Sequence, residues 1–278
     1  MDDYAIAGVP VTRRSRPLMR RVLRRLSPII VIVAILLVWE LAVRIFAIPS
    51  FMLPAPSEVF TAGWNARQII LSSAAQTLMT TLIGFALAVV FGLVSGVVIG
   101  SSRLIYEGIY PTLIGFNAIP KVAIIPILVI WMGVGTAPAI VTAFLISFFP
   151  ILVNVATGIA TVEPELRDVL RALGASRRQI IMKIGLPRSM PYFFASLKVA
   201  MSVAFVGSIT AESIASNQGI GYLMLVASSR FQVPLAFAGL FVTAAMGVGM
   251  YAISSGFERR MTGWATRGTA DTELNTQG

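Results

Sequence analysis

Six segments of the chain are apolar for long enough to cross a lipid bilayer: 29–47, 77–101, 109–133, 136–160, 190–211 and 233–257. A spanning helix needs about 20 mostly apolar residues. In hydrocarbon each backbone N–H and C=O must find its partner inside the protein, which makes helices the expected form of all six. Composition agrees. Hydrophobic residues make up 56% of the 278 and charged residues 12%, the latter about half the usual share of about 25%. So little charge cannot cover a water-soluble globule, and disorder would need the opposite bias. Cysteine and histidine are both absent from the sequence, which removes disulfides, thiolate nucleophiles, imidazole bases and almost every zinc or haem site. The expected fold is an all-α membrane protein, a polytopic bundle of about six transmembrane helices. A basic tail (1–27) precedes a transmembrane domain (28–260), and a second tail (261–278) follows it.

The basic residues orient the bundle. Lys and Arg number 22 against 12 Asp and Glu, a net charge of +10. In a soluble chain that excess would point to nucleic acid; here its distribution argues otherwise. Arg13, Arg14, Arg16, Arg20, Arg21, Arg24 and Arg25 precede the first span, and Arg103, the 161–189 segment and the region after 257 hold most of the rest. This is the positive-inside pattern, with both termini cytoplasmic and no nucleic-acid role. Residues 1–27 read as a retained tail, because the apolar run after them is too long for a signal-peptide core.

Small and polar residues mark the interior. Gly92, Gly96 and Gly100 form a GxxxGxxxG run in the second span, with Gly84 on the same helix; this spacing lets two backbones meet, and packing within the chain is expected. The third span holds Asn117, Pro120, Lys121 and Pro126. Lys121 lies far from either end of that span, about 18 Å of helix. It either lines a path or anchors to a headgroup. Asn154 and Asn117 are further candidates for a path. Lys198 reads as an interface anchor, and Glu40 with Arg44 as an i, i+4 pair. Three prolines, Pro49, Pro54 and Pro56, interrupt the outer segment after span one. An amphipathic surface helix is expected over 58–75, with Trp64 at the interface.

No acid occurs between Glu107 and Glu163. Ion-coupled carriers usually rely on intramembrane carboxylates, histidines or unwound ion sites. An intramembrane hydrolase would need a nucleophile with a base, or a metal cluster. No GxxxxGK[ST] is present either, so the chain has no P-loop for ATP. A transport subunit without chemistry of its own is the leading expectation; a secondary carrier not driven by ATP is the alternative.

The segment 161–189, TVEPELRDVLRALGASRRQIIMKIGLPRS, is basic and structured. A short helix is expected from Pro164, with Glu163 and Glu165 at its positive end, stopping at Gly174. Ser176 and Gln179 form a capping box for a second helix, which Leu186-Pro187 should end. Here the chain resembles the permease subunits of binding-protein-dependent ABC importers. Their signature loop has an EAA triplet, three residues, Gly, nine residues and I-x-L-P. This sequence has Asp168-Val169-Leu170, Gly174 at the same spacing, and Ile184-Gly185-Leu186-Pro187. LPAPSEVF, IPKVAIIPILVIWMGVG and AESIASNQGIGYLM extend the resemblance to the nitrate, sulfonate and taurine branch.

The resemblance implies a type I importer permease in a bacterial cytoplasmic membrane. It works as a homodimer with two ATPase subunits, which carry ATP and Mg, and an extracytoplasmic substrate-binding protein. No cofactor is expected in this chain. The solute would be a small, anionic one, such as a sulfonate, taurine or nitrate, or else an aromatic acid or vitamin precursor. Glu163, Asp168, Arg171, Gly174, Ala175, Ser176, Ile184, Leu186 and Pro187 would then couple the spans to the ATPase. Asn117, Lys121 and Asn154 would face the solute. Glu212 and Tyr222, with Arg230, would form an outer gate touched by the binding protein; a plain connecting turn is the competing reading of that segment.

Overall fold

The computed structural model describes residues 18–262, and among them there are helices and turns but no strand. The chain runs through α1 (Leu18–Ile45), α2 (Pro56–Asn65), α3 (Arg67–Gly100), α4 (Arg103–Ala118) and α5 (Ile125–Met132). It continues through α6 (Thr136–Ala160), α7 (Pro164–Ala172), α8 (Arg177–Ile180), α9 (Leu186–Ala215), α10 (Ile220–Ser229) and α11 (Val233–Thr262). The basic tail enters the description at Leu18, already helical. Residues 1–17 and 263–278, where the rest of the two expected tails falls, lie outside the described residues.

Four stretches are long and apolar enough to cross a membrane: Arg67–Gly100, Thr136–Ala160, Arg178–Ala215 and Val233–Glu258. The pair Arg103–Ala118 and Lys121–Met132, bent by 74°, makes a fifth. The expected first span, 29–47, falls largely on α1, which ends at Ile45.

Three expected boundaries move, each for a local reason. The expected continuous span 109–133 is broken at Ile119-Pro120. Proline disfavours helical backbone at the residue before it, and Ile119 is extended, with φ −66° and ψ 129°. A short 3₁₀ turn, Lys121–Ile124, then leads into α5, where Pro126 sits harmlessly in the first turn. The surface helix expected over 58–75 stops at Asn65; Ala66 alone separates α2 from α3, so residues 67–75 belong to the spanning helix. Finally, Leu186-Pro187 does not end the second loop helix. A π turn over Ile181–Gly185 widens the ladder ahead of Pro187, whose missing N–H would otherwise break it, and the helix continues as α9.

The core is α6 packed against both α3 and α9, which also meet each other at Thr80 and Ser208. The glycine stripe packs within the chain, as expected. A Cβ on Gly84 would lie 2.6 Å from the Ile140 carbonyl oxygen, one on Gly96 2.7 Å from Val155 Cβ, and one on Gly100 2.6 Å from the Ala156 carbonyl oxygen. Ala88, Ile151, Val155 and Ala200 are fully enclosed around this contact. Between α6 and α9, Gly158 meets Ser189 in the same way, at 2.9 Å. Lipid is as apolar as leucine, so close van der Waals contact, rather than expulsion from water, holds such helices together. The outward faces of α1, α3 and α11 expose Ile35, Leu37, Val90, Val94, Val248 and Ile253, as a bilayer surface requires.

At the other end of the bundle, Glu40 and Arg44 form the expected pair at 2.6 Å. Glu40 also accepts from the Ser57 N–H at 3.0 Å and the Ser57 hydroxyl at 2.8 Å. It therefore fixes the start of α2 against α1 by satisfying N–H groups that the helix cannot.

Gly96→Ala places a methyl group inside α6 and should destabilise the protein by about 1–3 kcal/mol, the usual cost of overpacking. Gly249 on α11 has no atom within 4 Å of its Cβ position. Gly249→Ala should therefore leave the thermal midpoint in detergent unchanged or raised, while Gly96→Ala lowers it.

Candidate functional site

The loop between α6 and α9 is built by local sequence. Glu163 is the N-cap of α7 and Pro164 opens its first turn. At the other end Gly174 has φ +82°. The Ala175 N–H donates to the Leu170 carbonyl at 2.9 Å and the Gly174 N–H to that of Arg171 at 2.9 Å. Together these make a Schellman cap, which satisfies two otherwise unpaired carbonyls. No neighbour lies within 4 Å of a Cβ on Gly174, so backbone conformation alone demands glycine there. The capping box is also present: the Ser176 N–H donates to Gln179 Oε1 at 2.8 Å, and the Gln179 N–H to Ser176 Oγ at 3.3 Å. Both cap assignments made from the sequence describe the geometry.

Two ion pairs brace this loop. Arg188 at the foot of α9 reaches Glu163 at 3.3 Å, and Arg171 reaches Asp168 at 3.5 Å. All four side chains are largely solvated, so each pair orients more than it stabilises. Beneath the loop Ile180, Gly185 and Val162 are buried, which joins it rigidly to α6 and α9. Val169, Leu173 and Met182 are exposed on the loop, while Asp168 and Arg171 line a hollow with Val162, Ile180 and Gly185. Ala175 and Ile184 line a small hollow of about 260 Å³ with Leu170 and Leu173. Leu186 and Pro187 stand in the opening turn of α9. A rigid base under an apolar ridge is what a docking element needs.

Lys121 lies at the break between α4 and α5 rather than deep within one continuous helix. Its ammonium donates to the Asn117 carbonyl at 2.7 Å and to Asn117 Oδ1 at 2.8 Å. It also stands 5.0 Å from the centre of the Phe149 ring on α6. The break frees the Asn117 carbonyl, and the lysine side chain takes the place of the lost backbone donor. The structure thus brings Asn117 and Lys121 together and adds Phe149, which sequence reasoning did not single out. Asn154 does not join them: its side chain donates to the Pro150 carbonyl of its own helix at 2.8 Å.

Lys198 is not a free interface anchor. It bonds Glu258 at 3.0 Å and stands over the Tyr251 ring at 5.4 Å, which ties α9 to α11.

Glu212 occupies a place the sequence did not suggest. Expected at the surface as a polar contact, it is 1% exposed. Thr77 donates to its Oε2 at 2.6 Å, Thr80 to its Oε1 at 3.0 Å, and the Gly221 N–H to Oε2 at 3.3 Å. The reason is register. Glu212 points from the end of α9 toward α3, where Thr77, Thr80 and Thr81 form one buried polar stripe. That i, i+3, i+4 spacing was the signal available in the sequence. Tyr222 is half-buried on α10, and Arg230 is exposed just beyond its end.

The fold and the loop are those of a known class. Residues 88–263 match the family described as binding-protein-dependent transport system inner membrane component. A probable ABC transporter permease protein of Haemophilus influenzae is 31% identical over 229 residues, 82% of this chain and 94% of that one. The riboflavin transport system permease protein RibX of Chloroflexus aurantiacus is 30% identical over 92% of this chain and 97% of its own. Among solved structures, the MetNI methionine ABC transporter in an inward-facing conformation superposes with TM-score 0.62 at 18% identity, over 71% of this chain and 98% of that one. The chain therefore belongs to the family of inner-membrane permease components of binding-protein-dependent ABC transport systems.

Proposed function

We propose that this chain is the path-forming subunit of an ATP-driven importer. It acts as a homodimer with two ATPase subunits and an extracytoplasmic substrate-binding protein, with both of its own termini on the cytoplasmic side. The observation that carries the reading is the doubly capped helix pair α7–α8 on the basic side of the bundle. An amphipathic hairpin resting on lipid has no need of both caps. A motion imposed on the ridge of Val169, Leu173 and Met182 passes directly into α6 and α9, because Ile180 and Gly185 are packed against them. Glu163, Asp168, Arg171, Gly174, Ala175, Ser176, Ile184, Leu186 and Pro187 make up this coupling element. ATP and Mg belong to the partner.

The solute class follows from Lys121. The Lys121 ammonium donates to a freed carbonyl and an amide oxygen, faces an aromatic ring, and keeps a third N–H for an anion. A small anion or an aromatic acid fits that cluster, in the company of Asn117 and, further along α6, Asn154. A vitamin or vitamin precursor is the further class, since relatives at 30% and 26% identity are named for riboflavin and for formylaminopyrimidine. Glu212 and Tyr222 belong to the outer end of the same path.

Copurification from membranes with an ATPase that turns over is the direct test of the assembly; a chain that transports without such a partner would overturn it. Gly174→Val must place a β-branched residue at positive φ, costing on the order of 1 kcal/mol or more locally. It should weaken ATPase assembly or uncouple hydrolysis from uptake in proteoliposomes. Lys121→Ala should cut uptake at least tenfold in a complex that still assembles, and Lys121→Arg should restore part of it. Normal uptake by Lys121→Ala would leave the residue a helix-break anchor.

A further inference from the structure

Helix α10 opens without a cap of its own. Gly219 is its N-cap residue and offers no side chain, yet Ile220 and Gly221, which follow it, are buried. Their N–H groups must find partners elsewhere, because the first turn of any helix leaves its donors unpaired. They find them on two other helices. The Ile220 N–H donates to Thr77 Oγ1 of α3 at 2.8 Å, and the Gly221 N–H to Glu212 of α9 at 3.3 Å. Thr77 passes the bond on to Glu212 at 2.6 Å, and Thr80 joins Glu212 at 3.0 Å and Ser208 at 2.6 Å. A Cβ on Gly219, which has φ +96°, would fall inside the Glu212 carboxyl group, and one on Gly221 would fall on the Ile209 carbonyl. The rest of α10 is apolar, IGYLMLVASS, and has no comparable polar tie to α3. A carboxyl enclosed at this depth is costly unless all of its bonds are made, so its bonding geometry is narrowly defined.

We propose that Glu212 is the positioning residue of the outer gate: with Thr77, Thr80 and Ser208 it forms a remote cap that pins the start of α10 to α3 and α9, and α10 opens by leaving that cap. This rests on the transport reading above and replaces the surface contact expected of Glu212 with an internal latch. The same end of the bundle is tied once more, since the Gly135 N–H before α6 donates to the Ala215 carbonyl at the end of α9, at 2.8 Å. The starts of α6 and α10 and the Thr77 level of α3 therefore meet the end of α9 in one polar layer, in which Glu212 is the side chain that bonds both α3 and α10.

The sequence contains no cysteine, so a single introduced thiol reports one position. Ala227 on α10 is 1% exposed and Ala156 on α6, at the other end of the bundle, is 0% exposed. In membranes carrying the assembled transporter, a maleimide should label the Ala227→Cys variant slowly. Adding Glu212→Ala or Thr77→Val should raise that rate at least fivefold, while the Ala156→Cys site stays protected. Glu212→Gln, with its amide oxygen accepting from Thr77 and the Gly221 N–H and its NH2 donating to Thr80, should stay within twofold of the parent. An unchanged rate at Ala227→Cys in Glu212→Ala would overturn the proposal. So would equal rises at both positions, which would make Glu212 a support of the whole bundle. Labelling does not depend on what the chain carries, so its failure would leave the transport reading standing, whereas loss of the ATPase partner would remove the transport reading and leave the latch.

Discussion

The bundle depends on the close approach of α3 and α6. Along Gly84, Gly92, Gly96 and Gly100 the two backbones come near enough that a methyl group would meet main-chain or Cβ atoms of the partner helix. No hydrophobic force distinguishes one apolar surface from another inside a bilayer, so this contact has to be made by shape. The remaining elements are placed relative to it. α9 lies along α6 through Gly158 and Ser189, and Gly207 admits Ile146 at 2.8 Å from its Cβ position. Because α6 is gripped by both α3 and α9, the loop that leaves its C-terminal end moves with it, and so does the foot of α9.

Charged groups are few in these helices, and several tie one element to another. Glu40 joins α1 to α2, Lys198 and Glu258 join α9 to α11, and Glu212 joins α9 to α3 and α10. Lys121 instead repairs a broken helix by bonding the Asn117 carbonyl, which the break leaves without its helical donor. In low dielectric an unpaired polar group costs far more than in water. A bundle with so few of them therefore places several where they fix a relation that apolar packing would leave loose. Two of these ties, at Lys121 and Glu212, lie where a helix is broken or begins.

The loop α7–α8 was legible because its structure is local. Pro at a first turn, Gly at a C-cap and Ser with Gln three residues later each act within one turn of helix, and the observed caps follow them. The Gly174 to Ile184-Gly185-Leu186-Pro187 spacing carried the family resemblance for the same reason. Less local signals failed in instructive ways. Leu186-Pro187 reads as a stop, yet a π turn absorbs the proline. Ala66 reads as part of a surface helix, yet one residue of bend turns the chain into α3. Hydropathy alone could not divide 109–133, which is apolar on both sides of the break; of its three prolines, Pro111 stays within α4 and Pro126 opens α5, and Pro120 alone sits at the break.

The sequence by itself determined what acts over one or two turns: the number of long apolar segments, the side bearing positive charge, the caps of the α7–α8 loop, and the glycine face that must meet another helix. Only the tertiary structure decided which helix that face meets, and which groups at long sequence separation share a bond. Thr77 and Glu212 are 135 residues apart, and Lys198 and Glu258 are 60 apart. A lone glutamate near the end of an apolar span reads alike whether it faces outward or inward, because its own helix fixes only its angle about the axis. What lies at that angle, here a buried stripe of threonines and the uncapped start of α10, is set by how the helices pack.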